Sequence, residues 1–254
     1  SALKENLDGS LALAADVILN PVFPEYELDR LKKQRMAQIR QEKVRPFSMV
    51  LRVFPQLLYG ENHAYSNPLT GSGTEASTMA MTRNDLANFH KTWLQPNNST
   101  LVVVGDITLE ELVPKLEKNF SKWNNSATPP VKNIDEVAQA AKSRVFLIDK
   151  PGSVQSVLIA GHLAPPTSNP DEIAIETMNT VLGGSFTSRL NMNLREDKHW
   201  SYGARSVFID AKGQRMFFAY APVQTDKTVE SLVEINKEMR DILSSRLPTK
   251  EELD

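Results

Sequence analysis

There is no cysteine among the 254 residues, which excludes a disulfide framework and any thiolate metal site and leaves every compartment open, the periplasm included. No apolar run is long enough to cross a bilayer as a helix. Charge of one sign is not in excess, and a formal net charge of −2 gives no electrostatic reason to invoke nucleic acid. No two of the four histidines, His63, His90, His162 and His199, lie within four residues of each other, so no helix face carries two imidazoles. Short-period repeats are absent as well. What is present is 41% hydrophobic residues, the composition of an ordinary soluble globular protein with room for two compact domains.

Apolar spacing predicts a helix over residues 6–19, ended by Asn20-Pro21, and a second from Pro24 to Arg45. A third is expected over 48–58, with Pro55 giving a kink or a late start. Residues 60–74 read as a polar loop. Thr82-Arg83-Asn84-Asp85 opens a helix containing Phe89, His90 and Trp93, and Thr108-Leu109-Glu110-Glu111 caps another through Phe120. Between them the β-branched run Ser99–Val104 predicts a buried strand. Residues 124–143, with Pro129-Pro130 and an alanine-rich tail, read as a linker. Beyond it, strands are expected at Val145–Ile148, Val154–Ala160, Ser206–Ile209 and Met216–Ala221, and helices from Ser168 to Leu182 and Thr225 to Leu243. The expected class is α+β in two domains, residues 1–123 and 144–254, with mainly antiparallel sheets packed by helices. Both ends read as cut. Ser1 is not an initiator methionine, and Thr249-Lys250-Glu251-Glu252 opens a helix that stops two residues later.

The most informative stretch runs from Gly183 to Ala204. A helix is expected to end at Gly183-Gly184; a short amphipathic helix follows and closes at Arg195. The chain then turns into a strand carrying Trp200 and Tyr202. Arg195 and Tyr202 are long hydrogen-bond donors seven residues apart, one charged and one neutral at pH 7. A helix-turn-strand corner can aim both tips at one point, which suits a developing oxyanion or a substrate carbonyl. Taken locally, the same residues also read as a glycine C-cap, a solvated helix end and a half-buried core tyrosine.

The Gly-Gly…Ser-Arg-Leu…Leu-Arg-Glu…Tyr-Gly pattern of this stretch resembles the second domain of the pitrilysin/insulinase family of zinc metallopeptidases, which includes the mitochondrial processing peptidases. The resemblance covers nearly the whole chain, and Leu7–Pro21 looks like the family helix that precedes the zinc-ligand helix. It implies that Arg195 and Tyr202 contact the substrate carbonyl, with Gly183, Gly184 and Ser185 beside them in substrate binding. It also implies two metallopeptidase-like domains, both truncated at the ends of the chain.

Active members bind zinc through His-Xaa-Xaa-Glu-His on one helix and a glutamate on a downstream helix. Nothing in this sequence supplies the histidine pair. In the run Leu28–Ile39 the ligand glutamate falls on Gln38, whose neutral amide is a poor substitute for a carboxylate on a dication. Gln38 shares a helix face with Leu31, Arg35 and Glu42, and Glu42 is expected to pair at the surface with Arg45. His63 and His90 read as structural; His199 is a candidate for lining a substrate path. The resemblance therefore implies a non-catalytic half with no metal of its own, working with a zinc-bearing half or subunit of the same family on peptide substrates. For a bacterial member an exported, periplasmic location is expected. Two alternatives stand beside this reading: a catalytic half whose metal motif lies before Ser1, and a non-enzymatic scaffold subunit of the same fold.

Overall fold

Threonine caps set several helix starts. Thr74, Thr82 and Thr108 each accept a backbone N–H three residues on, and Ser77, Asp85 and Glu111 return the bond to the cap backbone. The computed structural model describes residues 1–124, 128–132 and 134–253. In chain order the helices are α1 (Leu7–Leu19), α2 (Glu25–Glu42), α3 (Pro46–Tyr59), α4 (Glu75–Ala80), α5 (Arg83–Trp93), α6 (Leu109–Phe120), α7 (Glu172–Asn179), α8 (Arg189–Asn191), α9 (Thr228–Asp241) and α10 (Lys250–Leu253). The strands are β1 (Gln155–Ala164), β2 (Arg205–Phe208) and β3 (Arg215–Gln224). Among the described residues the chain is thus mainly helical with one antiparallel sheet, in keeping with the α+β expectation.

Two units emerge. The first is Ser1–Ala37 with Thr74–Asn133, and the second is Gln38–Gly73 with Ile134–Asp254. This division differs from one made at a linker alone, because α3 and the loop after it, placed by the sequence reading in the first domain, group with the second unit. Of the linker read over 124–143, residues 125–127 and 133 lie outside the described residues. Its last part is pinned to the second unit: the Val137 N–H donates to Gln214 Oε1 at 2.7 Å, and Gln214 Nε2 donates to the Val137 carbonyl at 3.1 Å.

In the first unit α1 packs on α6, with Lys115 paired to Asp8 at 2.6 Å and Lys4 to Asp106 at 3.2 Å. The Arg83 side chain donates to the carbonyls of Phe23 and Val22, both at 2.9 Å. His90 Nε2 donates to the Ile18 carbonyl at 2.7 Å, which makes it a structural histidine as expected. Only Ala15, Leu28 and Leu112 are buried apolar residues among the described residues of this unit.

The second unit holds the sheet, in the order β1-β3-β2, all antiparallel, with Gln155 opposite Gln224 and Arg205 opposite Tyr220. Side chains alternate across a strand, and β3 has a layer on each face. Phe217, Ala219, Ala221 and Val223 pack with Leu158, Leu182, Leu190, Leu194 and Ile235. Met216 and Phe218 pack with Phe54 and Tyr59 of α3. That is why β3 reads as a continuous apolar run. At its start Arg215 is fully buried, with Glu172 on its guanidinium at 2.8 and 2.5 Å. Pro55 lies inside α3 without ending it; the helix starts early because Pro46 occupies the first turn, where no N–H is needed.

Two expected strands are not formed. Leu101–Val104 and Val145–Ile148 belong to no helix or ladder, and their side chains are exposed. Their β-branched composition predicts pairing, but no described strand lies beside them to supply it.

Candidate functional site

Most of the helix in the corner from Thr180 to Ala204 is of an unusual kind. After α7 the chain runs as π-helix over Thr180–Gly184, and after α8 again over Met192–Asp197. Such turns are rare and occur frequently at functional sites. Neither Gly183 nor Gly184 has a positive φ, so the glycine pair is not a left-handed cap. Gly183 is needed for close approach: a Cβ there would stand 2.3 Å from the Ser206 nitrogen on β2. Gly183 is buried and Gly184 exposed. Ser185 follows in extended backbone, and its hydroxyl donates to the Thr180 carbonyl at 3.3 Å.

Asn191 ties the two arms of the corner. It is buried; its Nδ2 donates to the Phe186 carbonyl at 2.7 Å, and its Oδ1 accepts the Ala204 N–H at 3.2 Å. The turn is closed by the N–H groups of Trp200 and Ser201, both donating to the Leu194 carbonyl, and by the Gln224 N–H donating to the Trp200 carbonyl at 2.9 Å. Ser201 forms a bridge opposite Val223, which locks the segment beside the end of β3. His199 sits at the bend with φ of 57°, uncommon outside glycine. Its Nδ1 donates to the Arg195 carbonyl at 3.0 Å, so this ring fixes the bend.

The two donors singled out in the sequence lie on this frame. The Arg195 side chain is 41% exposed, lies over the Phe186 ring at 4.8 Å, and pairs through Nε with Glu196 at 3.2 Å. Tyr202 is 87% exposed, and its hydroxyl has no hydrogen-bond partner among the described residues. Arg195 and Tyr202 make no hydrogen bond or ring contact with each other. Both are presented outward from the same closed corner. Asn191 and Phe186 were not singled out from the sequence. An asparagine and a phenylalanine carry no signal of such roles until their partners are known.

The second arginine of the stretch does something different. Arg189 is buried and grips Glu252 through Nε and Nη2, both at 2.7 Å, and it also donates to the carbonyls of Arg246 and Leu247. The guanidinium's hydrogen bonds pull the Glu252 carboxyl down to about 2. Thr249 and Glu252 form the reciprocal cap expected from the sequence, at 2.8 and 3.3 Å.

Gln38, the degenerate metal position, belongs to a polar cluster. Its Nε2 donates to Glu42 Oε1 at 2.9 Å. Glu42 is buried and pairs with Arg52 at 2.6 Å, not with Arg45, because Arg52 on α3 faces it while Arg45 caps that helix at its start. Ser72 donates to Glu42 Oε2 at 2.6 Å, and Arg52 Nη2 donates to the Gly73 carbonyl at 2.8 Å. Burial raises the Glu42 pKa, but hydrogen bonds from Ser72, Arg52, Thr70 and Gln38 outweigh it and hold the carboxyl below its usual range. This set does not suit a dication. Its one carboxylate is already neutralised by a guanidinium, and the amide nitrogen of Gln38 donates to that carboxylate and brings no negative charge. Among the described residues no group of three or more histidine, aspartate or glutamate side chains is placed to hold a metal ion. His63 is structural: its ring stacks on Tyr59 at 4.7 Å, Nδ1 accepts the Tyr65 N–H, and Nε2 donates to the Asp135 carbonyl.

Residues 80–254 match the family model described as the peptidase M16 inactive domain. The chain is 23% identical over 239 residues to an uncharacterized zinc protease of Mycobacterium leprae, covering 92% of this chain and 52% of that protein. Over 200 residues it is 26% identical to a mitochondrial-processing peptidase beta subunit, so named as probable, of Arabidopsis thaliana, covering 78% and 36%. A crystal structure of a peptidase M16 inactive domain from Pseudomonas fluorescens superposes with a TM-score of 0.89 at 25% identity, over 99% of this chain and 59% of that one. The chain spans about half the length of the bacterial relatives it matches.

Proposed function

The chain belongs to the peptidase M16 inactive-domain family, and from that premise we propose that it is the non-catalytic half of a zinc peptidase. In this reading the hydrolytic metal sits in a zinc-bearing partner half of the same family. This chain contributes substrate contacts and the donors Arg195 and Tyr202. The observation that carries the proposal is the contrast at the corner. The backbone around it is closed by hydrogen bonds, yet among the described residues the Tyr202 hydroxyl is exposed without a partner, and the Arg195 guanidinium has a surface carboxylate and the Phe186 ring for neighbours. Surface pairs of that kind contribute little and yield readily to a stronger acceptor. A phenol and a guanidinium can both donate to the carbonyl oxygen of a peptide as negative charge develops on it. Gly184 and Ser185 lie on the exposed side of the same corner and serve as peptide contacts, while buried Gly183 keeps the corner against β2. An extended peptide would be held largely by main-chain hydrogen bonds, the mode of strand addition.

The test is peptide hydrolysis by the assembled two-half enzyme, with zinc measured on the same samples. Tyr202→Phe and Arg195→Ala are each expected to lower kcat by about 10²–10³, with zinc content and assembly unchanged. Wild-type kcat in both variants would refute the proposed role. A loss of activity that tracks a loss of zinc or of assembly would make the residues structural.

A further inference from the structure

The π-helical turn that carries Arg195 is held from behind by α9, and Asn193 makes the connection. Three successive side chains divide there: Asn193 reaches α9, Leu194 is fully buried in the core, and Arg195 is presented outward. Asn193 Nδ2 donates to Glu234 Oε2 and to Glu238 Oε1, both at 2.8 Å. Two carboxylate oxygens converging on one atom fix the amide with its nitrogen toward α9 and both N–H bonds used. Asn193 Oδ1 is left buried with no hydrogen-bond partner among the described residues. A buried oxygen without a donor costs stability, and an apolar side chain in the same place would avoid that cost. The acceptors are themselves fixed. Glu238 is buried, and Arg246 Nη1 donates to both of its oxygens at 3.1 Å. On the main chain, the Asn193 carbonyl accepts the Lys198 N–H at 2.9 Å, the wide bond that closes the π-helical turn.

One anchor, Leu194, leaves a short turn free to roll about its own axis. A second anchor on the adjacent residue fixes the roll. The roll in turn sets where Arg195 points, because side-chain directions around a helix follow the backbone in fixed steps. We propose that Asn193 is a positioning residue: by holding the π-helical turn on Glu234 and Glu238 it aims the Arg195 guanidinium at the substrate carbonyl, a role that rests on the reading of Arg195 as a substrate donor. Packing does not account for the residue type. Bridging two carboxylates from one atom takes two N–H bonds, and a neutral amide supplies them without adding a charge to the interior. The buried, unpartnered Oδ1 is the cost of that bridge.

Two measurements test this role. The first is NMR of the Arg195 side chain in the 254-residue chain. With the guanidinium 4.8 Å over the Phe186 ring, its Nε–H and Cδ protons are shifted by the ring current. In Asn193→Ala these resonances should move toward the values of a free arginine while the resonances of β3 stay in place; unchanged Arg195 resonances would overturn the proposal. The second is hydrolysis of a short, unstructured, internally quenched peptide by the assembled two-half enzyme, with zinc, assembly and unfolding midpoint measured on the same samples. Asn193→Ala should lower kcat by about 10-fold with KM nearly unchanged, less than the loss from Arg195→Ala because the donor is misplaced and not removed. In an Arg195→Ala background the same change should alter kcat by less than about twofold, since no donor is left to aim. An asparagine that serves only stability would cost the same factor in both backgrounds, and that result would overturn the proposal. Glu234→Ala removes one of the two acceptors at a half-buried position and leaves Glu238 in place. It should give a smaller loss with the same dependence on Arg195, and it carries the test if Asn193→Ala does not fold. Wild-type kcat in Asn193→Ala beside an impaired Arg195→Ala would overturn the positioning role alone. Wild-type kcat in Arg195→Ala would overturn the reading of the corner, and the positioning role with it.

Discussion

Replacing Arg52 with methionine tests whether the cluster at the degenerate metal position is a structural strut. The substitution keeps chain length and apolar stem but removes the donors to Glu42, Ser72 and Gly73. Both charged side chains of the pair are only about 10% exposed, so water cannot replace the guanidinium. Breaking one partner of a buried pair typically costs about 3–5 kcal/mol, because the other is left charged and unpaired. For a chain of this size that corresponds to a fall in Tm of roughly 6–20 °C. The pH dependence gives a second signature. In the native protein the Glu42 pKa is depressed, so its contribution is present above the unfolded carboxyl value and is lost as pH falls through the folded one. In Arg52→Met the main counter-charge is gone and burial pushes the carboxyl upward, so the penalty is largest at neutral pH and shrinks as Glu42 protonates on acidification. Replacing both residues, as Glu42→Met with Arg52→Met, should cost less than Arg52→Met alone at pH 7. The assay is urea and thermal unfolding of the 254-residue chain between pH 4 and 8. An Arg52→Met variant with an unchanged midpoint at pH 7, or a loss that does not vary with pH, would refute the reasoning.

Three further outcomes are expected. Glu252→Gln should destabilise the second unit by about 1–2 kcal/mol at pH 7, a shift from the ordinary value to about 2 discounted for partial exposure, and should flatten the acid sensitivity of wild type as pH falls from about 4.5 towards about 2. Gly183→Ala should cost about 1–3 kcal/mol by forcing β2 away from the π-helical turn, visible as a lower unfolding midpoint, and an unchanged midpoint would mean that the close approach is not required. The chain incubated with excess Zn²⁺ and desalted should retain well under one equivalent by elemental analysis; stoichiometric retention dependent on Gln38 or Glu42 would sink its assignment as a non-catalytic half.

Much of the fold was legible because its signals are local. The capping threonines and the continuous apolar run of β3 depend only on nearby residues, and those elements lie close to where the pattern places them. The misses are non-local. Ser99–Val104 and Val145–Ile148 carry strand composition, but a strand needs a neighbour and composition cannot say whether one is present. Proximity along one helix points Glu42 to Arg45; its partner Arg52 lies on the next helix, where only the tertiary fold reveals it. The glycine pair was legible as a special position, but not the reason for it, since Ser206 approaches from a strand more than twenty residues away. Likewise π-helix has no dependable sequence signature, so the turns flanking the corner were not foreseen.

The three arginines differ in how fully their guanidinium groups are committed, and the proposed role of Arg195 rests on that difference. Arg189, Arg195 and Arg215 are indistinguishable by type, and Arg189 and Arg195 share one short stretch. Arg215 is fully buried against Glu172 and lies over Phe208 at 4.7 Å. Arg189 is saturated by two carbonyls and both oxygens of Glu252. Each would leave buried groups unpaired if it moved, so neither is available to a ligand. Arg195 alone has its guanidinium half exposed, supported from one side by the Phe186 ring and held by a neighbouring carboxylate that water already screens. In the proposed function, exchanging Glu196 for a substrate oxygen would cost little there, and Phe186 would keep the guanidinium oriented. The same logic sets Tyr202 apart from Tyr59, whose hydroxyl donates to the Gln214 carbonyl at 2.8 Å and whose burial pushes its phenol up to about 12. The exposed Tyr202 hydroxyl, unpartnered among the described residues, is what makes it, and not Tyr59, the candidate donor in the proposed function.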